Sequence, residues 1–184
     1  KDSKGNDVSM TGILPDTYEK FDEFSGDYTL YYQNDTRQIN VTLVGDKAAN
    51  TVTIKGLNAN YDVIATYKKS MGCIEINSQQ VTTDGDKLIW FCSWGLNPAT
   101  GSGSISWSTD EGILLVKDPE NPGTYVLTPK GNTTLSYYPN SFAAYYFTST
   151  VGGNPRGQAD NKWRFKSTSG ITSQLTYITK IVKR

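Results

Sequence analysis

The sequence specifies an all-β fold: an antiparallel meander closing into a β-barrel, with a two-sheet β-sandwich as the alternative. Three observations point there. Between Asn50 and Gln80, three runs of β-branched and aromatic residues are separated by short breaks bearing Gly or Asn. The same pattern continues along the chain, giving ~10–12 short strands at the roughly 8–12-residue spacing of sandwiches and barrels. No segment carries a convincing helical period, and the one helix allowed is a turn within Asp16–Phe24. Sequential strands with short connections favour an up-and-down order over Greek-key crossings.

In chain order, the first strand is expected near Gly26–Gln33, turned by Asn34-Asp35. Gln38–Val44 alternates, with Ile39, Val41 and Leu43 on one face, and Gly45-Asp46-Lys47 breaks it. Thr51–Lys55 turns Val52 and Ile54 inward, and Gly56 ends it. The next strand carries Tyr61, Val63, Ala65 and Tyr67 on one face; Cys73–Asn77 follows with Ile74 and Ile76 together. Leu88–Trp94 is apolar on both faces, as in a strand that is central or covered by another layer.

Leu96–Ser104 reads as a loop rich in Gly, Ser and Pro. Ile105–Ser108, Gly112–Val116 and Thr124–Thr128 are three further strands. Leu135–Tyr138 and Phe142–Phe147 come next, then a second long loop, Thr150–Asn161. Trp163–Phe165 and Leu175–Val182 close the chain.

A chain of 184 residues is long enough to bury a core without a covalent staple. It divides into a polar, aperiodic tether over residues 1–20 and a single β-barrel domain over residues 21–184. Lys plus Arg equals Asp plus Glu, 18 each, which argues against nucleic acid as the partner. Cys73 and Cys92 permit one bridge. A tight hairpin centred on Asp84-Gly85 sets Cys92 opposite Asn77 rather than Cys73, so two buried free thiols are expected.

The absence of histidine removes Ser-His-Asp and Cys-His catalysis and His-based zinc or haem sites. No Cys-x-x-Cys, Ser-x-x-Lys or phosphate-loop motif occurs. Paired acids (Asp84 and Asp86, Asp110 and Glu111, Asp118 and Glu120) fall at turns and read as turn formers. None fits the spaced ligand run of an EF-hand loop. No cofactor or metal is expected.

The aromatic residues are more informative: 12 Tyr, 4 Trp and 6 Phe. Three doublets, Tyr31-Tyr32, Tyr137-Tyr138 and Tyr145-Tyr146, each set one ring toward the core and one away. Outward rings form platforms for sugars or partners. Trp90, Trp94 and Trp107 sit in apolar strands, where they pack in the core or line a barrel lumen or its mouth. Lys162, Arg164 and Lys166 alternate with Trp163 and Phe165, giving one basic and one aromatic face.

Gly26-Asp27-Tyr28, the hairpins after it, and an Arg-bearing closing strand Trp163-Arg164-Phe165 resemble calycin and lipocalin-like barrels. The block Val52–Leu57, Val63–Tyr67 and Gly72–Ile76 resembles uncharacterised secreted lipoproteins of gut anaerobes with lipocalin-like domains. That resemblance implies an exported protein, periplasmic or at the cell surface, held to the outer membrane only through an N-terminal lipid outside this chain. The expectation is a non-catalytic exported binding module for a small apolar molecule or glycan. Its candidate ligand residues are Trp90, Trp94, Trp107, Tyr138, Tyr146 and Arg164. The alternatives are an interaction subunit that docks a protein partner, and a carboxylate-dependent glycosidase.

Overall fold

The structure, a computed structural model, describes residues 24–96, 99–100, 103–106, 108–130, 138–147, 157–158, 163–165, 174–175 and 177–184. The first seven strands are β1 (Gly26–Tyr32), β2 (Arg37–Asp46), β3 (Thr51–Lys55), β4 (Val63–Lys68), β5 (Cys73–Asn77), β6 (Gln79–Asp84) and β7 (Lys87–Leu96). Then come β8 (Gly103–Ser106), β9 (Gly112–Lys117), β10 (Thr124–Lys130), β11 (Tyr138–Phe147), β12 (Gly157–Gln158), β13 (Gln174–Leu175) and β14 (Lys180–Lys183). No α-helix is present among the described residues. The expected tether, residues 1–20, and most of the expected helical turn lie outside them.

Eight strands close a barrel in the order β1-β2-β3-β4-β5-β9-β10-β14, and every pairing is antiparallel. This is an up-and-down barrel with two insertions, one between β5 and β9 and the other between β10 and β14. The inserted strands form a second, six-stranded sheet in which β7 pairs with β11, β6 and β8, and β11 also pairs with β12 and β13. The expected barrel is therefore present, rather than the alternative two-sheet sandwich, and a further sheet packs on it.

Alternation sends Tyr28, Leu30, Tyr32, Val41, Leu43, Val52, Ile54, Val63, Ala65, Tyr67, Ile74 and Ile76 into the barrel, all buried. Closure leaves the barrel no open edge except where strands diverge. One such place is Ile64, beyond the last β4–β5 pair, Thr66 with Glu75. There the Gln79 side chain stands in for a strand. Its Nε2 donates to Ile64 O and its Oε1 accepts from Ile64 N–H, both at 2.8 Å.

Ser78 marks the corner where the chain leaves the barrel for the second sheet. Its hydroxyl donates to Ser106 O at 2.8 Å and accepts from Ser93 N–H at 2.7 Å. Its own N–H donates to Glu111 O at 3.1 Å. One buried residue, at the head of β6, thus ties together β7 and β8 through its hydroxyl and the start of β9 through its N–H.

Both ends of the barrel are filled. At the end where β1 begins, the Phe24 ring lies 5.0 Å from Tyr67 and 5.0 Å from Tyr125. At the other end the second sheet acts as a stopper. Its inner residues Ile89, Phe91, Phe142 and Ala144 share one core with Leu30, Ile54, Ile113 and Ile178. Phe91 stacks on Phe142 at 4.3 Å and on Trp163 at 5.4 Å. The void left between stopper and barrel is about 10 Å³, room for about one water molecule.

Several expected boundaries differ. β2 runs through Gly45 to Asp46, because the barrel pairs them with Val52 and Thr51. The strand expected over Phe142–Phe147 starts earlier, as β11 from Tyr138, with a bulge between Pro139 and Ser141. All of the strand expected over Leu135–Tyr138 except Tyr138 lies outside the described residues. Trp163-Arg164-Phe165 is not the closing strand but makes an isolated bridge to Asn58; β14 closes the barrel against β1. The final run splits at Tyr177, whose φ is +48°. Cys92 pairs with Ala143, and Asn77 with Gly112, so the expected Cys92–Asn77 register does not form.

Candidate functional site

The second sheet has two different faces. Register places Ser141, Ala143, Tyr145 and Phe147 beside Trp94, Cys92, Trp90 and Leu88, all pointing away from the barrel. Cys92, Ala143 and Phe147 are buried, whereas Trp90, Trp94 and Tyr145 are half-buried. Trp90 meets Phe147 edge-on, with centroids 6.5 Å apart and planes at 78°. Its indole N–H is buried and has no hydrogen-bond partner among the described residues.

Trp94 lies over β8. A Cβ built on Gly103 would come 2.2 Å from the Trp94 six-membered ring. Only glycine lets the indole settle there.

Cys92, between these rings, is a free thiol, as is Cys73. Burial pushes the Cys92 thiol up to about 12, so it stays protonated and is no nucleophile at neutral pH. The Tyr145 hydroxyl is raised by burial and then by the neighbouring Cys92. Neither group is poised for proton transfer at neutral pH.

The residues singled out from sequence separate in space. Trp90 and Trp94 share the outer face. Tyr146 turns the other way, partly buried against the core, with the Lys87 ammonium 4.9 Å from its ring centre. Its neighbour Tyr145 takes the outward position. Arg164 is exposed beside the stopper, and its N–H donates to Leu57 O at 2.8 Å. Trp107 lies outside the described residues, as does the Tyr138 side chain.

Turn acids behave as turn formers. Asp118 Oδ1 accepts from Glu120 N–H at 2.9 Å, and Oδ2 accepts from Asn121 Nδ2 at 2.8 Å. Among the described residues, no three of Cys, Asp and Glu are grouped as a metal site requires.

One charged cluster escaped the sequence reading. Glu75, on the outer wall of β5, is only 4% exposed. Lys68 pairs with its Oε2 at 2.8 Å, Lys130 pairs with Oε1, and Asn77 Nδ2 donates to Oε1 at 2.7 Å. Burial opposes ionisation of Glu75, but the bonds from Lys130, Lys68 and Asn77 outweigh it and hold the carboxyl at about 2. The same contact raises Lys68. The cluster joins β4, β5 and β10 across the barrel wall and reads as a strut.

This carboxyl titrates lower when folded than when unfolded. Its contribution is therefore complete above the ordinary glutamate value and fades as pH falls toward about 2. Allowing for solvent screening around the lysines, the loss is on the order of 2 kcal/mol. Urea midpoints at pH 6 and pH 2.5 should separate more for the native chain than for Glu75→Gln. Equal separations would show that the network contributes nothing to acid sensitivity.

Comparison with known proteins adds one positive match. Residues 1–143 match the model of DUF4987, a domain of unknown function. The chain belongs to this family. The match stops within β11, so β14, which completes the barrel, lies beyond it. No curated protein and no solved structure shows significant similarity.

Proposed function

We propose that this DUF4987 member is a non-catalytic binding module. It holds a glycan on the outer face of its second sheet, against Trp90, Trp94 and Tyr145. The observation that carries this reading is the contrast between two surfaces. The void described between stopper and barrel is about 10 Å³, far below the roughly 300 Å³ of an ordinary ligand pocket. The outer face instead presents three large, half-buried aromatic rings on paired strands.

Flat rings held by a rigid sheet suit the C–H faces of pyranose sugars. Sheet placement also spares most of the ordering cost that mobile loops incur on binding. The export, outer-membrane tether and lipocalin kinship suggested by resemblance belong to the same proposal. A glycan-binding face has its natural use outside the cytoplasm.

Intrinsic tryptophan fluorescence during titration with a panel of oligosaccharides tests this. A saturable change is expected for at least one class of glycan. Trp94→Ala should weaken binding about tenfold or more, the equivalent of one stacking contact of roughly 1.4 kcal/mol. Folding is checked by circular dichroism. Binding that survives both Trp94→Ala and Trp90→Ala unchanged would move the site elsewhere.

A further inference from the structure

Two buried hydrogen-bond donors sit on paired residues where the barrel meets the second sheet. Asn58 and Trp163 form an isolated antiparallel bridge, and the adjoining bond runs from Arg164 N–H to Leu57 O at 2.8 Å. That pattern makes Asn58 and Trp163 the narrow, non-hydrogen-bonded pair, with Cα atoms ~4.5 Å apart and side chains on one face. They are 5% and 3% exposed. Asn58 Oδ1 is occupied, accepting from Asn60 N–H at 2.8 Å, which fixes the amide's orientation. Asn58 Nδ2 and Trp163 Nε1 are both buried with no acceptor among the described residues.

We propose that Asn58 Nδ2 and Trp163 Nε1 together hold one acceptor oxygen at the seam between barrel and second sheet, supplied by an ordered water. Buried donors in folded proteins are satisfied almost without exception, and an orphan is most often paired with an internal water. Of the ring neighbours of Trp163, Phe91 and Phe165 offer no lone pair, and Tyr61, edge-on with its centroid 5.7 Å away, accepts from neither donor. Two such donors projecting from one narrow pair converge on an acceptor better than either would alone. A carbonyl oxygen of a small retained molecule has the same acceptor chemistry and is the other source.

The test uses the intact chain, ¹⁵N-labelled. Rotating-frame exchange spectra should show a cross-peak between water and the Trp163 indole proton with the sign of a long-lived, bound water. Asn58→Ala should shift that indole resonance and shorten the water's residence. A missing water peak with a carbonyl-bearing molecule retained in native mass spectrometry would keep the site and change the source. Absence of both, with the Trp163 indole resonance unmoved in Asn58→Ala, would overturn the proposal.

Discussion

Phe91→Ala is expected to lower the free energy of unfolding by about 3–5 kcal/mol and to open the barrel. Phe91 is 1% exposed and sits at the centre of the stopper. It stacks on Phe142 with planes 9° apart and on Trp163 with planes 15° apart, and its ring also meets Phe165 at 6.5 Å. On its barrel side it closes the small void lined by Leu30, Ile54 and Leu115. Removing the ring leaves a cavity among side chains held by two different sheets, which limits collapse and places the cost high in the range. Urea denaturation measures the loss. A fluorescent apolar dye should bind the variant at one site and leave the native chain dark. A cost below ~1.5 kcal/mol, with no dye bound, would show that Phe91 does not plug the barrel.

Gly112→Ala should be nearly as damaging, at ~3 kcal/mol or more, by the different route of backbone overlap. The new Cβ would lie 1.9 Å from Ile76 O and 2.8 Å from Asn77 Cα. Both obstacles belong to the partner strand's main chain, so no side chain can move aside. β9 and β5 would have to separate where Asn77 pairs with Gly112. The neighbouring Ser78–Glu111 backbone bond, which positions the corner into the second sheet, lies beside that break. Thermal unfolding, followed together with protection of the Ser78 amide against hydrogen exchange, separates this route from a general loss of stability. A variant with native melting temperature and native Ser78 protection would contradict it.

The barrel was legible because period-2 alternation is a local signal. Val52 and Ile54, then Val63, Ala65 and Tyr67, and Ile74 with Ile76 all face inward as the pattern requires. The turn at Asn34-Asp35 was legible for the same reason, since Asn and Asp tolerate the positive φ found there, although the turn begins one residue earlier, at Gln33 with φ +51°. The hairpin after β6 was placed one residue too early. Gly85, with φ +61°, begins the two-residue turn rather than ending it, so Asp84 pairs with Lys87. That shift sent the expected partners of Cys92 out of register.

What joined the two insertions was not legible. β7, apolar on both faces, announced that something covered it, but not which strand. Its partner β11 begins about 40 residues later. Which ring of the Tyr145-Tyr146 doublet faces outward was not legible, because it depends on the pairing of β11 with β7 and on the bulge between Pro139 and Ser141. Glu75 was missed because an acid in an alternating strand reads as solvated. Lys130, the partner that helps to enclose it, is 55 residues away.

The central claim is that the barrel is a filled support and that recognition happens on the outer face of the second sheet. Amide and indole chemical-shift mapping during titration with the best-binding glycan tests it most directly. The expected result is a cluster of shifts at Trp90, Trp94 and Tyr145, with Leu30, Ile54 and Leu115 unmoved. Shifts concentrated instead on those barrel-lining residues would contradict it, because they would mean that the stopper opens and the ligand enters the lumen.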